Sequence, residues 1–175
     1  MNDKAGLERY AFVGLGANLP SGSSSPAETL KAVIPAMARL SAAPLLVSRL
    51  YISEPKDCPP GSPLYVNAVA ALLPGDDETP DSFLGKLQAL ENGFGRARTG
   101  TVNEARTLDL DLLYFGNKTS ATQTLVLPHP RAHQRRFVLE PWIELVGERF
   151  QFQQHTLGYW LAENQDPQLA LFTEA

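Results

Sequence analysis

Cysteine is almost missing from this chain: Cys58 is the only one in 175 residues, so no internal disulfide can form. Such usage agrees with a reducing compartment. Long apolar runs are missing as well. None approaches the ~20 residues that span a bilayer, and Met1 to Arg9 is polar, without the apolar core of a signal peptide. A soluble, cytoplasmic protein with no membrane partner is expected. A basic excess is also lacking. The formal net charge is −4, which argues against a nucleic-acid partner.

Several chemical signatures are absent. There is no G-x-x-x-x-G-K-[ST] phosphate loop, and Gly14-Leu15-Gly16 lacks the later glycine of a dinucleotide fingerprint. No G-x-S-x-G elbow occurs. Among the three histidines, His129 and His133 have H-x-x-x-H spacing, but no glutamate follows His129 and Pro130 opposes a helix there. A zinc site is rejected.

What is present suits one globular domain over residues 1–175, because 43% of them are hydrophobic and no repeat or long linker divides them. Tyr10 to Leu15 reads as a buried first strand. Leu30, Val33, Ile34, Met37 and Leu40 recur at helical spacing, so a helix over about 26–42 follows, with Ser25 as its cap and Pro26 in its first turn. Pro35 conflicts with that helix. Leu45 to Ile52 and Leu64 to Leu73 read as strands, separated by the stiff loop Glu54 to Pro63 with its four prolines. Pro80 opens a second helix that Gly93 and Gly95 end, and Thr107 to Phe115 reads as a fourth strand. Leu125 to Leu127 is a short apolar piece, and residues from Arg135 onward read as helical or mixed, with a last helix over about 156–163. The order strand, helix, strand, strand, helix, strand predicts an α+β protein: a ferredoxin-like split βαβ core, its mainly antiparallel sheet flanked by helices in α-β-α layers.

Charge is distributed unevenly. Six of the ten arginines lie between Arg96 and Arg136, and Asp109 and Asp111 sit among them. Two residues apart in a strand, the aspartates point to one face while Leu108, Leu110 and Leu112 point to the core. Paired carboxylates repel, so something positive belongs beside them. Mg²⁺ suits two carboxylates and shares itself with substrate phosphates, and two ions about 3.5–4 Å apart could be bridged there. The alternative is a solvated strand face whose acids pair with Arg106 or a neighbour. Arg96 and Arg98 enter a loop rich in Gly and Thr, where guanidinium forks can close on phosphates or form an ordinary basic loop. His129 is held between Pro128 and Pro130, either to donate to a phosphate or as a loop histidine of no consequence.

Taken in order, these pieces resemble 6-hydroxymethyl-7,8-dihydropterin pyrophosphokinases, a family of folate-pathway enzymes. The resemblance runs from about Tyr10 to Leu145. It is carried by Leu15-Gly16-Ala17-Asn18-Leu19, Ser48 to Tyr51, Tyr65-Val66-Asn67-Ala68-Val69, Gly95-Arg96-Ala97-Arg98, Arg106-Thr107-Leu108-Asp109-Leu110-Asp111-Leu112-Leu113 and Pro128-His129-Pro130-Arg131 with Arg135 and Phe137-Val138-Leu139.

The resemblance implies transfer of the terminal pyrophosphoryl group of ATP to the hydroxymethyl oxygen of the pterin, with release of AMP. It implies that Asp109 and Asp111 hold two Mg²⁺ ions and that Arg96 and Arg98 close over the site. Arg106, His129 and Arg135 would bind the triphosphate, with Gln88 and Glu91 near the nucleotide. The pterin would lie between Tyr65 and Phe137, read by Asn67, with Ser53 where the family usually has threonine. The expected partners are these two small molecules, in a monomer that could touch the next folate-pathway enzyme transiently. Departures also stand out. Val102-Asn103-Glu104-Ala105 replaces a family segment that commonly carries Arg-Trp and a proline, which removes a positive charge and a ring and adds an acid. They favour an alternative, a catalytically weak relative that binds nucleotide or pterin as a regulatory module.

Overall fold

The computed structural model describes residues 6–95 and 107–174. Strand β1 (Ala11–Ala17) leads to helix α1 (Pro26–Ala38), then to two short strands, β2 (Leu46–Val47) and β3 (Tyr51–Ser53), and to the long strand β4 (Tyr65–Leu72). Helix α2 (Pro80–Gly93) precedes β5 (Asp109–Phe115) and the hairpin of β6 (Ser120–Ala121) and β7 (Val126–Leu127). Helix α3 (Arg136–Val146), the hairpin of β8 (Gln151–Phe152) and β9 (His155–Thr156), helix α4 (Leu157–Glu163) and β10 (Ala170–Leu171) complete the order.

The main sheet runs β10-β3-β4-β1-β5, with β2 also on β4. Every pairing in it is antiparallel. Because β4 separates β1 from β3, and β1 separates β4 from β5, both βαβ units are split as expected. One face packs Val13, Leu15, Leu110 and Leu112 against Leu30 and Met37 of α1 and Phe83 and Leu87 of α2. The other packs Phe12, Val69 and Leu113 against Val138, Leu139 and Trp142 of α3, with Leu157 of α4 behind. The layers are therefore α-β-α.

Local chemistry sets the element ends. Ser25 Oγ accepts from the Glu28 N–H at 3.3 Å while Glu28 accepts the Ser25 N–H at 2.7 Å, a reciprocal cap. Thr79 and Ser82 do the same for α2. Pro35 is tolerated because it is exposed near the end of α1, where water can satisfy the carbonyl it frees. The helix stops at Ala38, short of 42, because the Ala42 N–H and Ser41 Oγ bond instead to Leu73 at the end of β4. The expected single strand Leu45 to Ile52 is two strands. Ser48 breaks it: its N–H donates to the Val69 carbonyl, but its hydroxyl takes the place of a ladder carbonyl and accepts the Val69 N–H at 3.0 Å. No helix among the described residues is long and apolar enough to cross a membrane.

Candidate active site

Along the sheet face under α3, the chain switches from packed rings to open space. Phe12 is fully buried against Trp142, but the next two β1 positions on that face are Gly14 and Gly16. The register places Gly14 opposite Asp111 and Gly16 opposite Asp109 on one side. On the other side Gly16 faces Asn67. A Cβ on Gly16 would lie 3.6 Å from Asn67 Oδ1 and 3.9 Å from the Tyr65 ring, in ordinary contact with both. The glycines thus make the bare floor of a cavity of about 220 Å³. Such glycines in a strand interior often mark close approach of a ligand.

The cavity has two kinds of wall. Tyr65 and Phe137 supply flat rings, and Asn67 and Ser53 a polar edge. Asn67 is 3% exposed, and its Nδ2 donates to Ser53 Oγ at 2.8 Å. That bond fixes the amide and leaves Oδ1 turned to the Gly16 side. The opposite wall holds Asp109, Asp111, His129, Arg131 and Arg135.

Asp109 and Asp111 share one face of β5 and are half-buried, while Leu108, Leu110 and Leu112 enter the core, as expected from the alternation. Arg135 Nη1 approaches Asp111 Oδ2 at 3.8 Å, and the same guanidinium carbon lies 5.6 Å from the Phe137 ring centre. Arg135 precedes α3 and Arg136 begins it. Cations at the positive end of a helix reverse the usual preference, so a negative group nearby is chemically favoured.

His129 is fixed on several sides. Its N–H donates to the Leu113 carbonyl at 2.9 Å, and Gln153 Nε2 donates to its carbonyl at 3.3 Å. The Arg131 N–H donates to its Nδ1 at 3.2 Å. With Nδ1 accepting, the neutral ring carries its proton on Nε2 and can donate there. Burial, then the charges of Arg135 and Arg131, lower its pKa to about 4 against a weaker pull from Asp109. The imidazole is neutral at physiological pH.

Behind the carboxylates lies a second groove of about 380 Å³, lined by Gln88, Glu91, Asp109, Asp111 and His129 among others. Glu91 is 2% exposed, and one of its oxygens accepts the Leu110 N–H at 2.8 Å. It therefore braces the β5 backbone between the two aspartates as well as bordering the groove.

Residues 12–147 match the family described as 7,8-dihydro-6-hydroxymethylpterin-pyrophosphokinase. The chain belongs to that family. It is 38% identical over 139 residues to the 2-amino-4-hydroxy-6-hydroxymethyldihydropteridine pyrophosphokinase of Haemophilus influenzae, covering 79% of this chain and 82% of that one. The protein of the same name from Pseudomonas aeruginosa is 40% identical over 138 residues, 78% of this chain and 80% of its own. A folate synthesis bifunctional protein of Arabidopsis thaliana is 32% identical over 113 residues, which are 65% of this chain and 23% of that longer protein.

Of the residues singled out in the sequence of this family member, Ser53, Tyr65, Asn67, Asp109, Asp111, His129, Arg135 and Phe137 line one cavity. Gln88 and Glu91 border the adjoining groove. Arg96, Arg98 and Arg106 lie outside the described residues. Sequence reasoning missed the role of Gly14 and Gly16, although two glycines at strand alternation were the available signal. It gave no role to Lys56, which lines the cavity. Its partner is more than a hundred residues away and leaves no local pattern.

The donor set fits Mg²⁺. Two half-buried carboxylates project side by side, and no group of three or more His, Cys, Asp or Glu among the described residues could form a closed cage. Mg²⁺ characteristically uses one or two carboxylates and completes its shell with water and phosphate oxygens.

Proposed function

We propose that this chain transfers pyrophosphate from ATP to the hydroxymethyl group of 6-hydroxymethyl-7,8-dihydropterin. The hydroxymethyl oxygen attacks the β-phosphorus and loses its proton; the bond from the β-phosphorus to the α-phosphate oxygen breaks, and AMP leaves. The carrying observation is that Asp109, Asp111 and His129 line both the ring-walled cavity and the adjoining groove. The carboxylates therefore stand at the seam between two spaces, where donor and acceptor of a phosphoryl group must meet.

In this proposal Tyr65 and Phe137 sandwich the pterin, Asn67 reads its polar edge, and Ser53 holds the Asn67 amide. Gln88 and Glu91 border the nucleotide. His129 donates from Nε2, and Arg135 offers its planar fork to phosphate oxygens. Asp109 and Asp111 hold two Mg²⁺ ions, which when bound neutralise phosphate charge. Arg96, Arg98 and Arg106 add positive charge from outside the described residues. The chain acts as one domain, monomeric and cytoplasmic, with small molecules as its partners.

The second reading is a weak binding relative, which Glu104 and the missing Arg-Trp favour. Incubation with ATP, Mg²⁺ and hydroxymethyldihydropterin separates the two. AMP formed in step with pyrophosphorylated pterin is expected. Pterin or nucleotide binding without AMP would overturn the enzyme in favour of the weak relative.

A further inference from the structure

Residues 148–175 lie beyond the span matched to the family. Part of this tail returns to the cavity wall. Lys56 Nζ donates to both oxygens of Asp166, at 2.7 and 2.8 Å, and to the Gln134 carbonyl at 2.7 Å. The Arg136 N–H donates to Asp166 Oδ2, and Arg136 Nη1 to the Asp166 carbonyl, both at 3.2 Å. Four residues further on, Ala170 and Leu171 pair with Ile52 and Tyr51 of β3. One short segment thus ties together the proline-rich loop after β3, the first turn of α3 and the sheet edge.

These attachments bear on the cavity directly. Lys56 and Phe137 line it, and both also border a third space, again of about 380 Å³, behind that wall, where Asp166 lies. The wall is thin, so its position depends on what holds it from behind. The Lys56–Asp166 pair is partly exposed, with side chains 36% and 23% accessible, and it is held by two short bonds rather than by burial. Burial raises the Asp166 pKa, but the bonds from Lys56 and the Arg136 N–H, with the Lys56 charge, outweigh it and leave the carboxyl below its ordinary value.

We propose that Asp166 is a positioning residue for the pterin: by holding Lys56 and the start of α3 it sets the spacing of the loop wall from Phe137. The inference rests on the cavity being the pterin site. Asp166 touches neither the carboxylates nor the nucleotide groove, so its main effect is on the pterin, and any effect on ATP, relayed through Arg135 between the Gln134 carbonyl and the Arg136 N–H, is smaller.

Steady-state kinetics with each substrate varied provide the test. Asp166→Asn should raise KM for the pterin about fivefold, with kcat and KM for ATP unchanged within about twofold. Lys56→Gln should do the same, and the double variant should be no worse than either single one, as expected for one shared interaction. Phe137→Ala serves as the control for the cavity itself. If Phe137→Ala raises the pterin KM and neither latch variant does, the latch is overturned and the cavity assignment stands. If Phe137→Ala also leaves it unchanged, the cavity assignment fails and the latch with it. A parallel rise in both KM values together with a lower Tm would make the latch a general fold clip and overturn the proposal. Should Asp166→Asn fail to fold, Lys56→Gln carries the test, because Lys56 lies in a loop outside every strand.

Discussion

Arg135 Nη1 lies 3.8 Å from Asp111 Oδ2, too far for a good hydrogen bond and near enough for a strong field. The arginine comes from the start of α3 and the aspartate from β5, so the approach joins the helix layer to the sheet at the seam of the two spaces. A partly exposed pair at that distance adds little to stability. Its use is chemical: a guanidinium held beside the Asp111 carboxylate presents a planar fork that suits phosphate oxygens. Arg135→Ala is therefore expected to lower kcat/KM for ATP by about 10- to 100-fold with a nearly unchanged melting temperature. Arg135→Lys should recover only part of the loss, because the planar fork is gone. Kinetics of both variants with ATP varied check this, and full activity in the lysine variant would show that only charge matters.

Asp111→Asn retains shape and removes the charge. Loss of turnover by at least about 100-fold is expected, since metal-held phosphate is worth several kcal/mol at the transition state. Stability should hold, because the carboxylate is half exposed and a partly exposed pair at 3.8 Å contributes little. A melting temperature within about 3 °C of the parent is the expected reading. An active Asp111→Asn variant would remove the metal assignment.

The split βαβ core was legible because each element is amphipathic at its own period. The β5 alternation Leu108-Asp109-Leu110-Asp111-Leu112 predicts which side chains the core takes, and the core takes those leucines. What periodicity could not show depends on tertiary pairing. The hydroxyl of Ser48 replaces a ladder carbonyl, which a strand pattern cannot announce. The two-residue strands β6 to β10 are too short to carry a period. Ser53, Tyr65, Asn67 and Phe137 were named on resemblance alone, while His129 also stood out between its two prolines; the fold collects them through three separate elements and a loop. The resemblance puts Glu91 near the nucleotide, but its bond to Leu110 depends on α2 lying against β5 and leaves no trace in the sequence.

Gly16→Ala probes the floor. The added methyl would meet Asn67 Oδ1 at 3.6 Å and the Tyr65 ring at 3.9 Å, ordinary contacts that require no backbone shift. The fold should accept it, with a melting temperature equal to the parent or slightly higher, since alanine restricts the unfolded chain. The methyl would nonetheless stand in the cavity between the amide and the ring. KM for the pterin is expected to rise by about tenfold or more, the effect of roughly 1.4 kcal/mol of lost fit. An unchanged pterin KM would show that the ligand does not rest on β1.

Glu91→Ala should act chiefly through the backbone of β5. It leaves the Leu110 N–H without its acceptor in a buried setting, where loss of a partner costs about 1–3 kcal/mol. Lower stability and lower turnover are expected together, because the same backbone unit fixes both Asp109 and Asp111. Glu91→Gln keeps an amide oxygen able to accept that N–H. Denaturant midpoints and kcat for the pair separate bracing from charge: recovery of both in the glutamine variant marks a brace, and recovery of neither marks the carboxylate charge as essential.

His129 makes the pH dependence calculable in sign. In the unfolded chain its imidazole takes up a proton as pH falls through about 6.5. In the folded protein burial, with Arg135 and Arg131 nearby, delays this to about 4. Between those values the unfolded state binds more protons, so stability decreases as pH falls. Burial lowers the His133 pKa too and adds in the same direction. His129→Gln retains an amide donor and cannot titrate, so its urea midpoint should fall less between pH 7.5 and pH 5 than that of the parent. Parallel losses in the two proteins would mean that the folded imidazole protonates normally. The same shift predicts activity: because the ring is still neutral at pH 5.5, with Nδ1 held by the Arg131 N–H, its Nε2 donor persists. Titration of His129 should therefore add no acid limb to kcat/KM near pH 6.5, so the profiles of parent and His129→Gln should have the same shape there, whatever the difference in their absolute rates.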